Sequence, residues 1–149
     1  MLRRLMQTDG GVAALVLRLA LGVMIFPHGA QKVLGWFGGR GPEGTLGYMH
    51  GKLGIPVALA VLAMAAELLG GIGLVVGLLG RVAAFGVGCV MVVAMLLVTA
   101  HNGFFMNWTG AKPSEGIEFH ILALAMAIAV MILGSGAASL DAAIASRGV

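Results

Sequence analysis

The stretch from residue 82 to residue 100 contains nineteen residues and not one charged side chain. A helix of that length spans the ~30 Å hydrocarbon core of a bilayer. Three further apolar stretches lie at about 11–34, 55–79 and 117–133. Because a lipid environment requires backbone polar groups to be bonded within each segment, helices are favoured throughout. We therefore predict an all-α integral membrane protein, a bundle of four transmembrane helices.

The composition supports one membrane domain over residues 1–149. Only 10% of the residues are charged and 60% are hydrophobic, whereas soluble domains carry about 25% charged residues. The net charge of +3 comes from scattered Lys and Arg residues that form no basic stripe, which argues against a nucleic-acid partner. The predicted partner is the lipid bilayer. Cys89 is the only cysteine, so the chain has no internal disulfide and no Cys-x-x-Cys pair.

Four spans place both termini on one side of the membrane. Basic residues normally concentrate in the cytoplasmic loops, but here the two faces tie. The face of the termini carries Arg3, Arg4, Arg81 and Arg147, and the other carries Lys32, Arg40, Lys52 and Lys112. The charge pattern therefore does not orient the chain. The four histidines, the two tryptophans and the single tyrosine all belong to the face away from the termini.

Two charged residues lie deep within the apolar stretches, Arg18 in the first and Glu67 in the second. Charges in hydrocarbon are costly and normally have a partner. Counted from the loop-rich ends of the two spans, Arg18 lies ~24 Å deep and Glu67 ~20 Å deep. We predict that they form a buried ion pair. The pair has two interpretations: it orients two helices, or it marks a proton or anion site.

Polar residues near the loop-rich mouth predict a pocket beneath the loops. Its candidate residues are His28, Gln31, Lys32, His101, Asn102 and Glu118. Lys32 follows His28 by one helical turn, on the same face. Glu118 and His120 point to nearly opposite faces of a helix, so at most one faces the bundle centre. His28, His101 and Glu118 are weak candidates for a transition-metal site; no fixed-spacing motif makes this firm, and interfacial hydrogen bonding is the alternative.

Several motifs occur in the order found in a known family. They include His28-Gly29-x-Gln31-Lys32 and lie at residues 18–22, 26–39, 53–56, 66–71, 77–81, 102–105, 116–119 and 139–141. With these motifs, nearly the whole chain resembles the DoxX family of small bacterial membrane proteins. Ile117 departs from the tyrosine usual in that family, and His120 is not a shared position.

The resemblance implies a four-helix bundle in the bacterial cytoplasmic membrane, with both termini in the cytoplasm. It also implies association with redox functions, near sulfur compounds and quinones. We therefore predict a membrane subunit of an oxidoreductase system whose non-cytoplasmic pocket accepts a quinone or a small redox substrate. The alternatives are a transporter or channel for a small solute or proton, and a structural membrane partner. A redox protein partner, self-association and the chain's own enzymatic activity stay open.

Overall fold

The computed structural model describes residues 6–8, 10–111 and 114–146, and over these residues it is helical without strands. The helices are α1 (Val12–Val33), α2 (Gly41–Leu46), α3 (Val57–Val76), α4 (Gly80–Ala94), α5 (Glu118–Leu133) and α6 (Leu140–Ser146). A π-helical segment, Gly47–Lys52, prolongs α2, and the segments Met95–Thr99 and Ala100–Asn102 prolong α4. Arg3, Arg4, Lys112 and Arg147, counted above for orientation, lie outside the described residues.

Three of the described helices are long and apolar enough to cross a membrane: Val12–Val33, Val57–Val76 and Gly80–Asn102. They correspond to the first three predicted spans, and they confirm a multi-pass, all-helical membrane protein. The fourth predicted span corresponds to α5, which is apolar but has only 16 residues, or about 24 Å of helix. The count of four spans, like the assignment of one domain, stays a prediction.

The four long helices pack in a closed order. Helix α1 packs on α3, α3 on α4, α4 on α5, and α5 returns to α1. Their inward faces meet in a buried cluster that contains Leu21 and Ile25 of α1, Leu74 of α3, Val87 of α4 and Val130 of α5. Since lipid tails are as apolar as these side chains, close packing rather than exclusion from water holds such helices together.

Glycine permits the closest contact, which joins α1 to α3. A Cβ on Gly29 would lie 2.4 Å from the main-chain nitrogen of Leu68, and one on Gly71 would lie 2.9 Å from Cα of Phe26. The two helices therefore touch through their backbones, as small residues allow in membrane bundles. These contacts fix the register of the pair and place the last turn of α1 beside Glu67.

Hydrogen bonds join three segments at the end of the bundle where the described chain begins and finishes. Gly136 N donates to Thr8 Oγ1 (2.5 Å), Ala137 N to Gly11 O (3.1 Å), and Asp141 N to Gly77 O (2.9 Å). We call this the terminal end. The opposite, loop-rich end carries α2, the segment Gly47–Lys52 and the described loop residues 103–111 and 114–117.

Candidate functional site: a groove with a polar end

Arg18 does not pair with Glu67, so the predicted buried ion pair is wrong. Arg18 as a residue is 1% exposed. Its acceptors are main-chain oxygens near the ends of α3 and α5: Nε donates to Ser135 (2.6 Å), Nη1 to Leu74 (2.8 Å) and Val75 (2.7 Å), and Nη2 to Ala137 (3.2 Å) and Ala138 (2.7 Å). Because a guanidinium has five N–H donors, none remains for a carboxylate or a ligand.

The helix register explains why the two charges are separated. Gly22 lies beside Leu74, whereas Gly29 lies beside Glu67 and Leu68. Arg18 is therefore roughly 17 Å from Glu67 along the helix axes. The two spans do not end at one plane, as the predicted depths require, because α3 extends about two turns beyond the end of α1. Helix α2 packs against both α1 and α3.

The Arg18 cluster has the chemistry of a structural anchor. A positive charge is stabilised near the carboxyl end of a helix, where carbonyl groups lack partners within the helix. Asp141 complements it at the amino end of α4, where it accepts hydrogen bonds from Leu79 N (2.8 Å) and Gly80 N (3.0 Å). Ser135 Oγ donates to the same carboxylate at 2.5 Å. These contacts tie the terminal ends of α1, α3, α4, α5 and α6 together.

Glu67 instead forms an ion pair with Lys32. The Lys32 ammonium lies 2.5 Å from Glu67 Oε2, and the side chains are 29% and 4% exposed. The Lys32 ammonium therefore neutralises the charge of the buried carboxylate through direct contact with Oε2. Because an ionised carboxylate has about four lone-pair sites, Glu67 can accept a further hydrogen bond from a ligand.

This ion pair lies at the polar end of a partly open groove of about 1140 Å³. The polar end is lined by Gln31, Lys32, Arg40, Thr45, Tyr48, Lys52 and Glu67. Apolar side chains of α3 and α4 form the walls, among them Leu62 and Phe85, which are 64% and 62% exposed. A polar head and long apolar walls match an amphiphilic ligand rather than a water-soluble one.

The structure places only two of the six predicted pocket residues, Gln31 and Lys32, in the groove. His28, His101, Asn102 and Glu118 do not line it. Glu118 Oε2 accepts a hydrogen bond from Met106 N (3.1 Å), and Asn102 Nδ2 donates to Val98 O (3.2 Å) and Glu115 O (3.1 Å). These two side chains thus stabilise the loop between α4 and α5. His101 is exposed.

His28 lies against α5, with its ring 6.2 Å from that of Phe119. Within residues 6–8, 10–111 and 114–146, no three His, Cys, Asp or Glu side chains lie close enough to hold a metal ion. His28, His101 and Glu118 therefore do not form the transition-metal site for which they are weak candidates in the sequence.

His120, rather than Glu118, points into the bundle. Its side chain is 9% exposed, while Glu118 is half-buried. Its Nδ1 atom is buried and has no hydrogen-bond partner among the described residues. The side chains of Glu118 and His120 point to different faces of the helix, as predicted for residues two apart.

Four polar groove residues, Arg40, Thr45, Tyr48 and Lys52, lie outside the predicted pocket because residues 35–54 fall between the first two apolar stretches and carry no membrane-span pattern. Arg40 directly precedes α2, Thr45 belongs to α2, and Tyr48 and Lys52 belong to its π-helical extension. Arg40 Cζ lies 5.0 Å from the Tyr48 ring centroid, and Lys52 Nζ lies 5.6 Å from it. The spacing of four between Tyr48 and Lys52 was the available signal, since it puts both on one helix face. Cys89 of α4, exposed, also lines the groove.

Comparison with known proteins identifies the family of this chain. The DoxX family model matches residues 13–101. The chain belongs to the DoxX family. The matched region covers α1 to α4 and every residue that lines the groove, whereas α5 and α6 lie beyond it. The groove is thus part of the DoxX region itself.

A relative from Bacillus subtilis (strain 168) bears the name "Putative oxidoreductase CatD". It is 28% identical to this chain over 130 residues, which cover 87% of this chain and 85% of the relative. No solved structure matches the chain.

Proposed function

We propose that this DoxX protein is a membrane subunit of an oxidoreductase system and holds a quinone, or a comparably small redox amphiphile, in the groove. The observation that carries the proposal is the Lys32–Glu67 ion pair, 2.5 Å apart, at the polar end of a groove with apolar walls. Ligand sites generally combine apolar walls with a few convergent polar groups.

The polar end has the groups that a quinone head requires. The two quinone carbonyl oxygens accept hydrogen bonds, and Lys32 brings three N–H donors. The hydroxyl groups of the quinol form donate, and the Glu67 carboxylate accepts. The isoprenoid tail would extend along the apolar side chains of α3 and α4, which face outward from the bundle. A ligand could therefore enter directly from the bilayer.

The proposal includes an orientation. The groove's polar end lies at the loop-rich end, away from the contacts between Thr8, Gly77 and the segment after α5. If α5 completes a fourth crossing and both termini are cytoplasmic, the polar end faces the outer side of the bacterial cytoplasmic membrane. A redox protein partner would then meet the subunit there.

The groove's own cysteine supplies the test of quinone binding. The purified protein in nanodiscs is titrated with a short-chain quinone while labelling of Cys89 by N-ethylmaleimide is timed. We expect the quinone to slow labelling, since Cys89 lines the groove. Glu67→Gln and Lys32→Met should each raise the Kd about tenfold or more, because hydrogen bonds to charged groups contribute about 1.5–3 kcal/mol.

Glu118→Gln is the matched control, because Glu118 bonds to Met106 in the loop and does not line the groove. It should leave the quinone Kd unchanged. Labelling of Cys89 that is unaffected at saturating quinone would contradict the proposal. Solute flux in proteoliposomes that is abolished by Glu67→Gln would instead support a transporter. If the protein shows neither quinone binding nor solute flux, the structural-partner alternative is favoured.

A further inference from the structure

The polar end of the groove carries more positive charge than is needed to bind an uncharged quinone head. Three cations line it, Lys32, Arg40 and Lys52, together with one carboxylate, Glu67. Glu67 is paired with Lys32. Among the described residues neither Arg40 nor Lys52 forms an ion pair with a carboxylate, and Glu43 of α2 does not line the groove. Arg40 and Lys52, both exposed, therefore carry two positive charges without an ion-pair partner among the described residues, and we call this exposed part of the polar end the rim.

The same aromatic ring holds both rim cations. Arg40 Cζ lies 5.0 Å and Lys52 Nζ 5.6 Å from the centroid of the Tyr48 ring, within the range of cation–π contacts. This contact restrains two long side chains that would otherwise sample many rotamers. A restrained pair of cations favours an anion, and an arginine fork suits phosphate oxygens particularly well.

Beside these cations the wall of the groove is apolar. Leu59 and Leu62 of α3 and Leu97 beyond α4 line it with exposed side chains, as does Phe85. A small inorganic anion would use the cations and leave this wall uncovered. The volume of about 1140 Å³ also exceeds the roughly 300–1,000 Å³ of ordinary ligand pockets. Charge and shape together therefore favour an anion with hydrocarbon chains.

We propose that the rim of the groove binds one anionic glycerophospholipid, with its phosphate between Arg40 and Lys52 and an acyl chain along the α3–α4 wall. The phosphate position between Arg40 and Lys52 is distinct from the Lys32–Glu67 pair proposed for the quinone head, whereas the acyl chain and the quinone tail would both lie along the α3–α4 wall. A lipid held at the rim would border the path by which a membrane-soluble ligand reaches Glu67.

Native mass spectrometry of the purified protein, released from mixed phosphatidylglycerol and phosphatidylcholine vesicles, tests the assignment. We expect one phosphatidylglycerol retained per chain, in preference to phosphatidylcholine. The double variant Arg40→Gln, Lys52→Gln should reduce its retention at least tenfold. The charge-preserving control Arg40→Lys, Lys52→Arg should keep most of it. If the double variant does not fold, the two single glutamine variants are compared instead, and each should show a partial loss.

Three results would overturn the lipid assignment. The first is equal retention of phosphatidylglycerol and phosphatidylcholine, and the second is unchanged phosphatidylglycerol retention in the glutamine variants. The third is thermal stabilisation by inorganic phosphate, in phosphatidylcholine nanodiscs, that equals the stabilisation by phosphatidylglycerol. That third result would make a small anion the ligand. Quinone titration of the same variants separates this proposal from the previous one. Loss of the lipid with unchanged Cys89 protection by quinone supports the lipid site, whereas loss of quinone protection with the lipid retained counts against it.

Discussion

At the scale of single residues, Arg18 shows how a charge can be accommodated in a membrane bundle without an acidic partner at contact distance. Its five N–H groups are all bonded to carbonyl oxygens near the ends of α3 and α5. The carboxylate of Asp141 adds a favourable electrostatic interaction. Helix ends are where unpaired carbonyls accumulate, so one guanidinium satisfies a whole cluster of them and joins the elements that carry them.

Replacing Arg18 should therefore destabilise the fold strongly. Arg18→Met leaves the carbonyls of Leu74, Val75 and the segment after α5 without their donor, and each buried unsatisfied group costs about 1–3 kcal/mol. We expect a loss of at least ~3 kcal/mol, and a smaller loss for Arg18→Lys, which keeps three donors. Unfolding of the variants in mixed micelles measures this. A loss below about 1 kcal/mol for Arg18→Met would show that the carbonyls find other donors.

Double-mutant cycles distinguish the observed ion pair from the predicted one. Lys32→Met and Glu67→Gln alter two groups in contact, so their effects on the free energy of unfolding should be non-additive by about 0.5–3 kcal/mol. Arg18→Met and Glu67→Gln alter groups roughly 17 Å apart, so their effects should add. The reverse pattern, with coupling in the second cycle only, would restore the Arg18–Glu67 pair and refute the register.

At the scale of elements, the contact between α1 and α3 and the two π-helical segments determine the groove. The contact positions Lys32 beside Glu67. Both π-helical segments contribute to the lining, Gly47–Lys52 through Tyr48 and Lys52, and Met95–Thr99 through Leu97. Short π-helical stretches within helices occur frequently at functional sites. Their presence on two sides of one groove supports the view that its shape is functional.

Gly29 offers a direct test of the α1–α3 contact. Alanine favours a helix over glycine by about 1 kcal/mol, but a Cβ here would lie 2.4 Å from Leu68 N. Since backbone cannot move aside as a flexible side chain does, the steric cost should dominate. We expect Gly29→Ala to lower stability by about 1–3 kcal/mol and to weaken the Lys32–Glu67 coupling. Gly51→Ala is the control, because a Cβ there meets no atom within 4 Å; an equal loss in both variants would contradict the argument.

At the scale of the whole molecule, hydrogen bonds join the start of α1, the α3–α4 turn and the segment after α5 at one end. This arrangement agrees with four antiparallel crossings even though α5, with 16 residues, is short for a bilayer of ordinary thickness. A helix shorter than the hydrocarbon core can be accommodated by local thinning of the bilayer.

Four crossings predict that both termini lie on one side of the membrane, and the resemblance to the DoxX family implies that this side is the cytoplasm. Reporter domains are fused in separate chains before Met1, after Val149 and within the loop between α4 and α5. The two terminal fusions should be active only with a cytoplasmic reporter, and the loop fusion only with an outer-face reporter. Terminal fusions active on opposite faces would reduce the crossings to three and remove α5 from the membrane.

The sequence by itself determined the class of protein and the approximate helices. Uncharged runs such as residues 82–100 predict membrane helices from local composition alone, and the motif order was sufficient to indicate the DoxX family. It also identified Arg18 and Glu67 as charges that need partners, and Lys32 as a candidate pocket residue. These properties depend on single residues or on neighbours within one segment.

Only the tertiary structure decided which charges meet and where the groove lies. Glu67 pairs with Lys32 because close backbone contact at Gly29 sets the register of α1 against α3, and a register is not a property of either segment alone. Arg40 and Lys52 join the groove because residues 41–52 fold as helix against α1 and α3 instead of forming a loop. Which charged side chains form an ion pair depends on how far one helix is shifted along its neighbour, by as little as a few turns. Local hydropathy carries no information about that shift.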